Sequence, residues 1–281
     1  MKRPIFTLIG TLLTVALFAQ KPATKIVLAK GQKIVVTTTV SIVSNSMGMD
    51  GNTNSSTENS MEVRLATDKD YTISSKLTKI KFSTEGPGMT TSYDSEKKED
   101  QETEMGKSMS EKLNKINDVI IDNTSGVPLN DPKPQPKKDE EADASPMASL
   151  FNMVGENGSD EALVAGAFQL IPADKKPGDS WSDSSLDGNI KVRRTYNFKA
   201  NTDSGAVIKL TAKAESTGTI PVMGMTMDVS TTTETTSEIL LDLATGLVKR
   251  KSTESNAEGS FQVMGQSVPF TAKATTVSIY K

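Results

Sequence analysis

Methionine is the residue whose placement could do chemistry in this chain. Met47 and Met49 stand two apart, as do Met223, Met225 and Met227. On a strand that spacing puts each set on one face. Thioether sulfurs are soft ligands, so such a cluster is chemically able to hold copper(I). The same side chains also fill irregular apolar space or line a pliable pocket. The sequence holds no His and no Cys to complete a soft-metal site. Packing, or an adaptable apolar pocket, is therefore the reading adopted, and no metal or other cofactor is expected.

The lack of His and Cys also removes Ser-His-Asp and Cys-His catalysis and ordinary zinc sites. Ser95 and Lys98 form an S-x-x-K, but inside the charged run "SEKKED" and without the companion motifs of that chemistry. "DGNTN", Asp50 to Asn54, starts like a calcium loop and then fails, with Ser55 where Gly is required and Met61 where Glu is. Asp179 in "PGDSW" and Asp242 in a hairpin stand in structural contexts. A single Trp and four Tyr give few rings for a sugar site. The chain is expected not to be an enzyme.

The elements that would position the methionines begin after a targeting signal. "MKRPIFTLIGTLLTVALFAQ" has a basic start at Lys2 and Arg3, an apolar run from Ile5 to Phe18, and Ala19 at the cleavage point before Gln20. The run is shorter than the roughly 20 residues of a spanning helix. Residues 1–19 are read as a signal peptide, leaving no transmembrane segment after cleavage. Without cysteine the product is not a lipoprotein. It is expected in the periplasm or secreted, held by packing and sheet pairing without disulfides. Removing Lys2 and Arg3 takes the formal charge from −3 to −5. That mild acidity offers no footprint for nucleic acid.

Residues 20–129 read as a first β-rich region. "KIVVTTTVSIVS" and "MEVRL" alternate at strand period, with "TDKD" and Gly86-Pro87-Gly88 as breaks. Met105, Met109, Leu113 and Ile116 change to helical spacing. Residues 130–146 are Pro- and charge-rich and read as a flexible linker. Residues 147–281 hold helices and a second β-rich region, packing with the first as one domain. One helix is expected over 146–155, with Leu150 and Phe151 on its apolar face, and another over 159–171, containing Phe168 and ended by Pro172.

Two echoes run through the chain. "SMGMDGNTNSSTENSMEVRL" (46–65) aligns without a gap on "VMGMTMDVSTTTETTSEILL" (222–241), and "IIDNTSG" (120–126) matches "LLDLATG" (240–246) at a different offset. In the second copy Val229, Thr231, Thr233, Thr235, Ser237, Ile239 and Leu241 share one strand face, and the acidic residues share the other. The repeated phrase is read as architecture, either duplicated or chosen twice.

"LIPADKKPGDSW" (170–181), followed by long strands and "LLDLATGLVKRK", resembles an uncharacterised exported family, domain of unknown function 6263, found mainly in Bacteroidota. The resemblance implies a β-rich exported protein and brings no catalytic residues. The fold expected is mainly β, an antiparallel curved sheet or half-barrel with two or three short amphipathic helices packed on it. The function expected is non-enzymatic binding, of an apolar or lipid ligand between sheet and helices. Met47, Met49, Met223, Met225, Leu150, Phe151 and Phe168 are the candidate lining residues. The alternative is an envelope structural or protein-interaction module with a filled core.

Overall fold

The computed structural model describes residues 24–46, 48–129, 160–222, 225–263 and 266–281. The expected linker (130–146) and the expected helix at 146–155 lie outside them. Eleven strands of the described residues form one antiparallel sheet that does not close. They are β1 (Lys33–Ser46), β2 (Met49–Ala66), β3 (Asp70–Gly86), β4 (Met89–Asp94), β5 (Asn117–Asp122), β6 (Ser180–Asp187), β7 (Ile190–Thr202), β8 (Gly205–Val222), β9 (Met225–Leu241), β10 (Val248–Val263) and β11 (Gln266–Tyr280). In space the order is β4-β3-β2-β1-β11-β10-β9-β8-β7-β6, with β5 on β3. The two β regions thus make one sheet, joined where β1 pairs β11 from Val36↔Tyr280 to Ser46↔Phe270.

Strand alternation sets one buried face. In β1, Ile34, Val36, Thr38, Ile42 and Ser44 are buried between exposed neighbours. Ile73 of β3 and Phe198 of β7 lie far apart in the strand order yet share one buried cluster. The sheet must curl for that to happen, as its natural twist favours.

What it curls around is the chain's own N-terminal segment and one short helix. Ile26 and Leu28 enter the cluster beside Val164, Ala167, Phe168 and Ile171. Tyr71 fixes the segment: its hydroxyl donates to the Ile26 carbonyl at 3.2 Å and accepts from the Leu28 N–H at 3.2 Å. Ile26 is fully buried, which stabilises the fold by about 1.5–3 kcal/mol.

Further along the strands the buried face changes character. Val40, Ile42, Ala257, Ala272 and Ala274 form a second, small-residue cluster. Hydroxyl pairs bridge neighbouring strands: Thr38–Ser278 at 3.0 Å, Ser237–Thr253 at 2.9 Å and Thr235–Ser255 at 3.0 Å. A threonine-rich strand can therefore turn inward where its buried hydroxyls pair across the ladder, as Ser237 and Thr235 do; the buried Thr231 hydroxyl has no such partner. The expected face of β9 is the observed one, with Val229, Thr231, Ser237, Ile239 and Leu241 buried.

Three short helices are described: α1 (Lys98–Gln101), α2 (Glu104–Ser110) and α3 (Asp160–Ala165). Two of them, α2 and α3, are shorter than the sequence predicts. The face Met105–Ile116 loses its last turns because Asn114, at φ 61°, donates its N–H to the Leu77 carbonyl at 2.8 Å and follows the edge of β3. Ile116 is exposed. The helix expected over 159–171 stops at Ala165. Beyond Gly166 the chain pairs instead, Gln169 N–H donating to Gly246 O (3.0 Å) and Val248 N–H to Ala167 O (2.9 Å).

Candidate functional site

Ten strands join into five hairpins that stand side by side, β3–β4, β1–β2, β10–β11, β8–β9 and β6–β7, and all five turn at the same end of the sheet. The closing pairs are Gly86↔Met89, Ser46↔Met49, Val263↔Gln266, Val222↔Met225 and Asp187↔Ile190. Each leaves two residues for the turn, the tightest hairpin connection. The opposite end holds the connections "TDK" (67–69), Asp203-Ser204 and Asp242 to Leu247, together with α3 and the N-terminal segment. The described core is packed at one end, which also leaves Leu65, Val127 and Leu129 exposed, and the hairpins turn at the other.

The candidate lining residues divide between these ends. Met49 opens β2 at the row of turns and is half exposed, and Met225 opens β9 at the same end. Phe168 belongs to the opposite end, 8% exposed, bridged to Leu247 and packed in the main core. Strands of this length rise by about 45 Å, so Met49 and Phe168 do not line one cavity. Met47, Met223, Leu150 and Phe151 lie outside the described residues.

Two exposed residues that sequence reasoning passed over flank another turn, on the far side of the strand order from β2. Leu186 is 75% exposed and Ile190 is 49% exposed, and they flank the β6–β7 turn. The signal was present in "SLDGNIKV", apolar residues set against a Gly-Asn turn where a polar pair would serve as well.

Two concavities of the described residues are open, lined by mostly polar residues that present largely apolar surface. One, of about 270 Å³, is lined by Asn54, Ser56, Lys81, Phe82, Tyr93 and Asp94 among others. Its charges are already engaged. Asp94 accepts from the Glu96 N–H at 3.0 Å and faces Lys81 at 3.3 Å, and these contacts hold its carboxyl below the usual range. The Asp100 carboxylate accepts the Asp94 N–H at 2.8 Å. A second, of about 360 Å³, lies over β8–β10 between Thr217, Thr219, Asp228, Ser230, Ser260 and Gln262. Neither brings a nucleophile against a base. Among the described residues no three acidic side chains gather as a metal site, and no helix is long and apolar enough to cross a membrane.

The model of a family of unknown function (DUF6263) matches residues 133–248, so the resemblance drawn from "LIPADKKPGDSW" holds over that segment. No curated protein matches the chain. Several solved structures are similar at low identity. Lipovitellin, from a study of its lipid–protein interactions, is 11% identical with a TM-score of 0.48, over 90% of this chain and 25% of that one. The chain thus spans about a quarter of lipovitellin's length. An outer membrane channel from Pseudomonas putida F1 is 9% identical with a TM-score of 0.31, over 91% and 97% of the two chains. Pseudomonas aeruginosa OccK5 (OpdH) is 8% identical with a TM-score of 0.29, over 90% and 98%.

Proposed function

We propose that this is an exported, non-enzymatic binding protein that takes an apolar, lipid-like ligand. The observation that carries the reading is a curled, open sheet whose described surface leaves several large apolar side chains in water, among them Met49, Leu65, Val127, Leu129, Leu186 and Ile190. Exposed apolar surface is where an apolar partner or ligand is met. Methionine suits a ligand of variable shape, since its side chain is unbranched and polarizable. The sequence supplies no His or Cys for acid–base or nucleophilic work. The leader at residues 1–19 supports export to the periplasm or beyond it.

A second reading rests on the sheet edge. Among the described residues nothing pairs with the outer side of β6, so an envelope protein could add a strand there. Titration with a fluorescent fatty acid separates the two. The lipid reading expects a saturable rise in fluorescence, competed by unlabelled fatty acid. A flat titration would remove it in favour of a protein partner.

A further inference from the structure

We infer that the edge of β6 is where a second copy of this chain pairs, strand against strand and antiparallel, with the two-fold axis at Ser184. This names the partner of that edge and stands apart from the lipid reading.

The backbone gives the first support. Phe198 N–H donates to Asp179 O at 3.0 Å, and the β6–β7 register runs on from there without a shift to Asp187↔Ile190. In an antiparallel ladder bonded and non-bonded pairs alternate. The N–H and C=O groups of Ser180, Ser182, Ser184 and Leu186 therefore point away from β7, where no described strand meets them. The side chains of β6 turn to β7 instead of covering this edge. Ser180 accepts from Asn197, Ser182 bonds with Thr195, and Asp183 and Ser185 both accept from Arg194. Residues 182–186 are all exposed.

The second support is the contrast with the other edge, which the chain covers itself. β4 is 6 residues long, and its Asp94 N–H is taken by the Asp100 carboxylate at 2.8 Å. Beside it, Asp122 N–H of β5 donates to Val127 O at 3.0 Å, and Leu129 N–H donates to Ile120 O at 2.7 Å. Proteins keep sheet edges apart with Lys, Pro, a bulge or a very short strand. β6 is 8 residues, "SWSDSSLD", with no Lys, no Pro and no register shift.

Charge then selects the second copy and its register. A pairing centred on Asp183 sets that carboxylate against itself across the axis, which is unfavourable. A pairing centred on Ser184 sets Ser182 against the other copy's Leu186, and Asp183 against the other copy's Ser185. The outward backbone groups of Ser182, Ser184 and Leu186 then meet their complements. Arg194 Nη1 donates to the Asp183 carboxylate and the Ser185 hydroxyl of its own chain, at 3.2 Å each. With the other copy's Asp183 directly across from Ser185, each guanidinium also faces a second carboxylate. Two-fold symmetry repeats that attraction reciprocally, which an unrelated strand would not supply.

The chain has no cysteine, so one introduced thiol reads the register. Facing Cα atoms of a hydrogen-bonded antiparallel pair stand about 5.5 Å apart, within the span of a disulfide. S184C meets its own copy at that separation, whereas S182C faces Leu186 and lies about 14 Å from its own copy. The full chain is made in an exporting host, checked for leader removal by intact mass, oxidised mildly and run without reductant. S184C is expected to cross-link at least about tenfold more than S182C. In sedimentation the parent should show twice the single-chain mass. S184P removes only an N–H that points out of the sheet, and should show the single-chain mass with unchanged circular dichroism. The cysteine pair decides the register whether or not S184P folds. Equal cross-linking of the two cysteine variants, a folded S184P that stays dimeric, or a parent of single-chain mass overturns the inference. A single-chain parent that binds fluorescent fatty acid overturns the pairing and leaves the lipid reading, and a dimer that binds none does the reverse.

Discussion

Asp122 and Asp242 close two copies of one turn at the same end of the sheet. The Asp122 Oδ1 accepts from the Thr124 and Ser125 N–H groups at 2.9 and 2.8 Å, and the Asp242 Oδ1 accepts from those of Ala244 and Thr245 at 3.0 Å each. Each backbone carbonyl takes the N–H of the glycine that follows, Gly126 and Gly246, at 2.9 Å. Between the copies runs the N-terminal segment. Ile26 N–H donates to Asn123 O at 2.7 Å and Val27 N–H to Thr245 O at 3.0 Å, so each turn holds one of two consecutive residues. The repeated phrase is thus a clasp that ties the chain's start across the curl of the sheet.

The glycines of the clasp are required by its backbone. Gly246 has φ 75°, and a Cβ there would meet Leu170 Cδ2 at 3.0 Å. Gly126 has φ 73°, with its nearest neighbour, Ile26 Cδ1, at 3.5 Å. Alanine at either is expected to cost about 1–2 kcal/mol for the left-handed conformation alone. G246A should lose more than G126A, because Leu170 must also move. Urea midpoints check the order, and equal losses would count against a packing role for Gly246.

Acid should loosen the clasp in a defined range. Hydrogen bonds from the Thr124 and Ser125 side chains, joined by their backbone N–H groups, lower the Asp122 carboxyl to about 2. A group held below its unfolded value contributes stability that is present above that unfolded value, about 3.9. That stability is lost as pH falls through about 2. The gap in stability between the parent and D122N should be constant above pH 5 and shrink toward pH 2. Denaturant melts across that range read it, and a gap independent of pH would exclude the ionised carboxylate as the cause.

Asp160 should behave in the opposite sense. Burial at the start of α3 pushes its carboxyl up, against the Asn117 amide that donates to it at 2.6 Å. A raised carboxyl favours the folded state most when protonated, so its contribution is full below the unfolded value and is lost as pH rises through the folded one. D160N is expected to be at least as stable as the parent at neutral pH, and to lose any advantage in acid. A marked loss at pH 7 would show that the charge itself is needed.

The buried hydroxyl ladder gives a sharper test of why a threonine-rich strand can face inward. Ser237 and Thr253 are 1% and 4% exposed and bond to each other. S237A leaves the Thr253 hydroxyl buried without its partner and should cost about 1–3 kcal/mol. The double variant S237A/T253V removes both groups and should recover most of that. If the double variant is worse than S237A by a further full increment, the pair is not the unit of stability.

Much of this architecture is legible in the sequence because strand period two is a local property. The inward face of β9, from Val229 to Leu241, and the polar face opposite follow from alternation alone. The twin turns follow from "IIDNTSG" and "LLDLATG". The helix ends are not legible, since α3 gives way at Gly166 to pairing with Gly246 and Val248, residues remote in sequence. The same holds for the candidate site. Methionines two apart were read as one face of a pocket shared with Phe168. Only strand direction and order show that Met49 and Phe168 belong to opposite ends, and that Leu186 and Ile190 flank a turn far from Met49 in the strand order.

The central claim is that the protein carries an apolar, lipid-like ligand. Native mass spectrometry of the exported form, purified gently and run before and after incubation with phospholipid, tests it most directly. The account predicts added mass matching a lipid, lost on harsher activation. Bare protein mass under both conditions would contradict it.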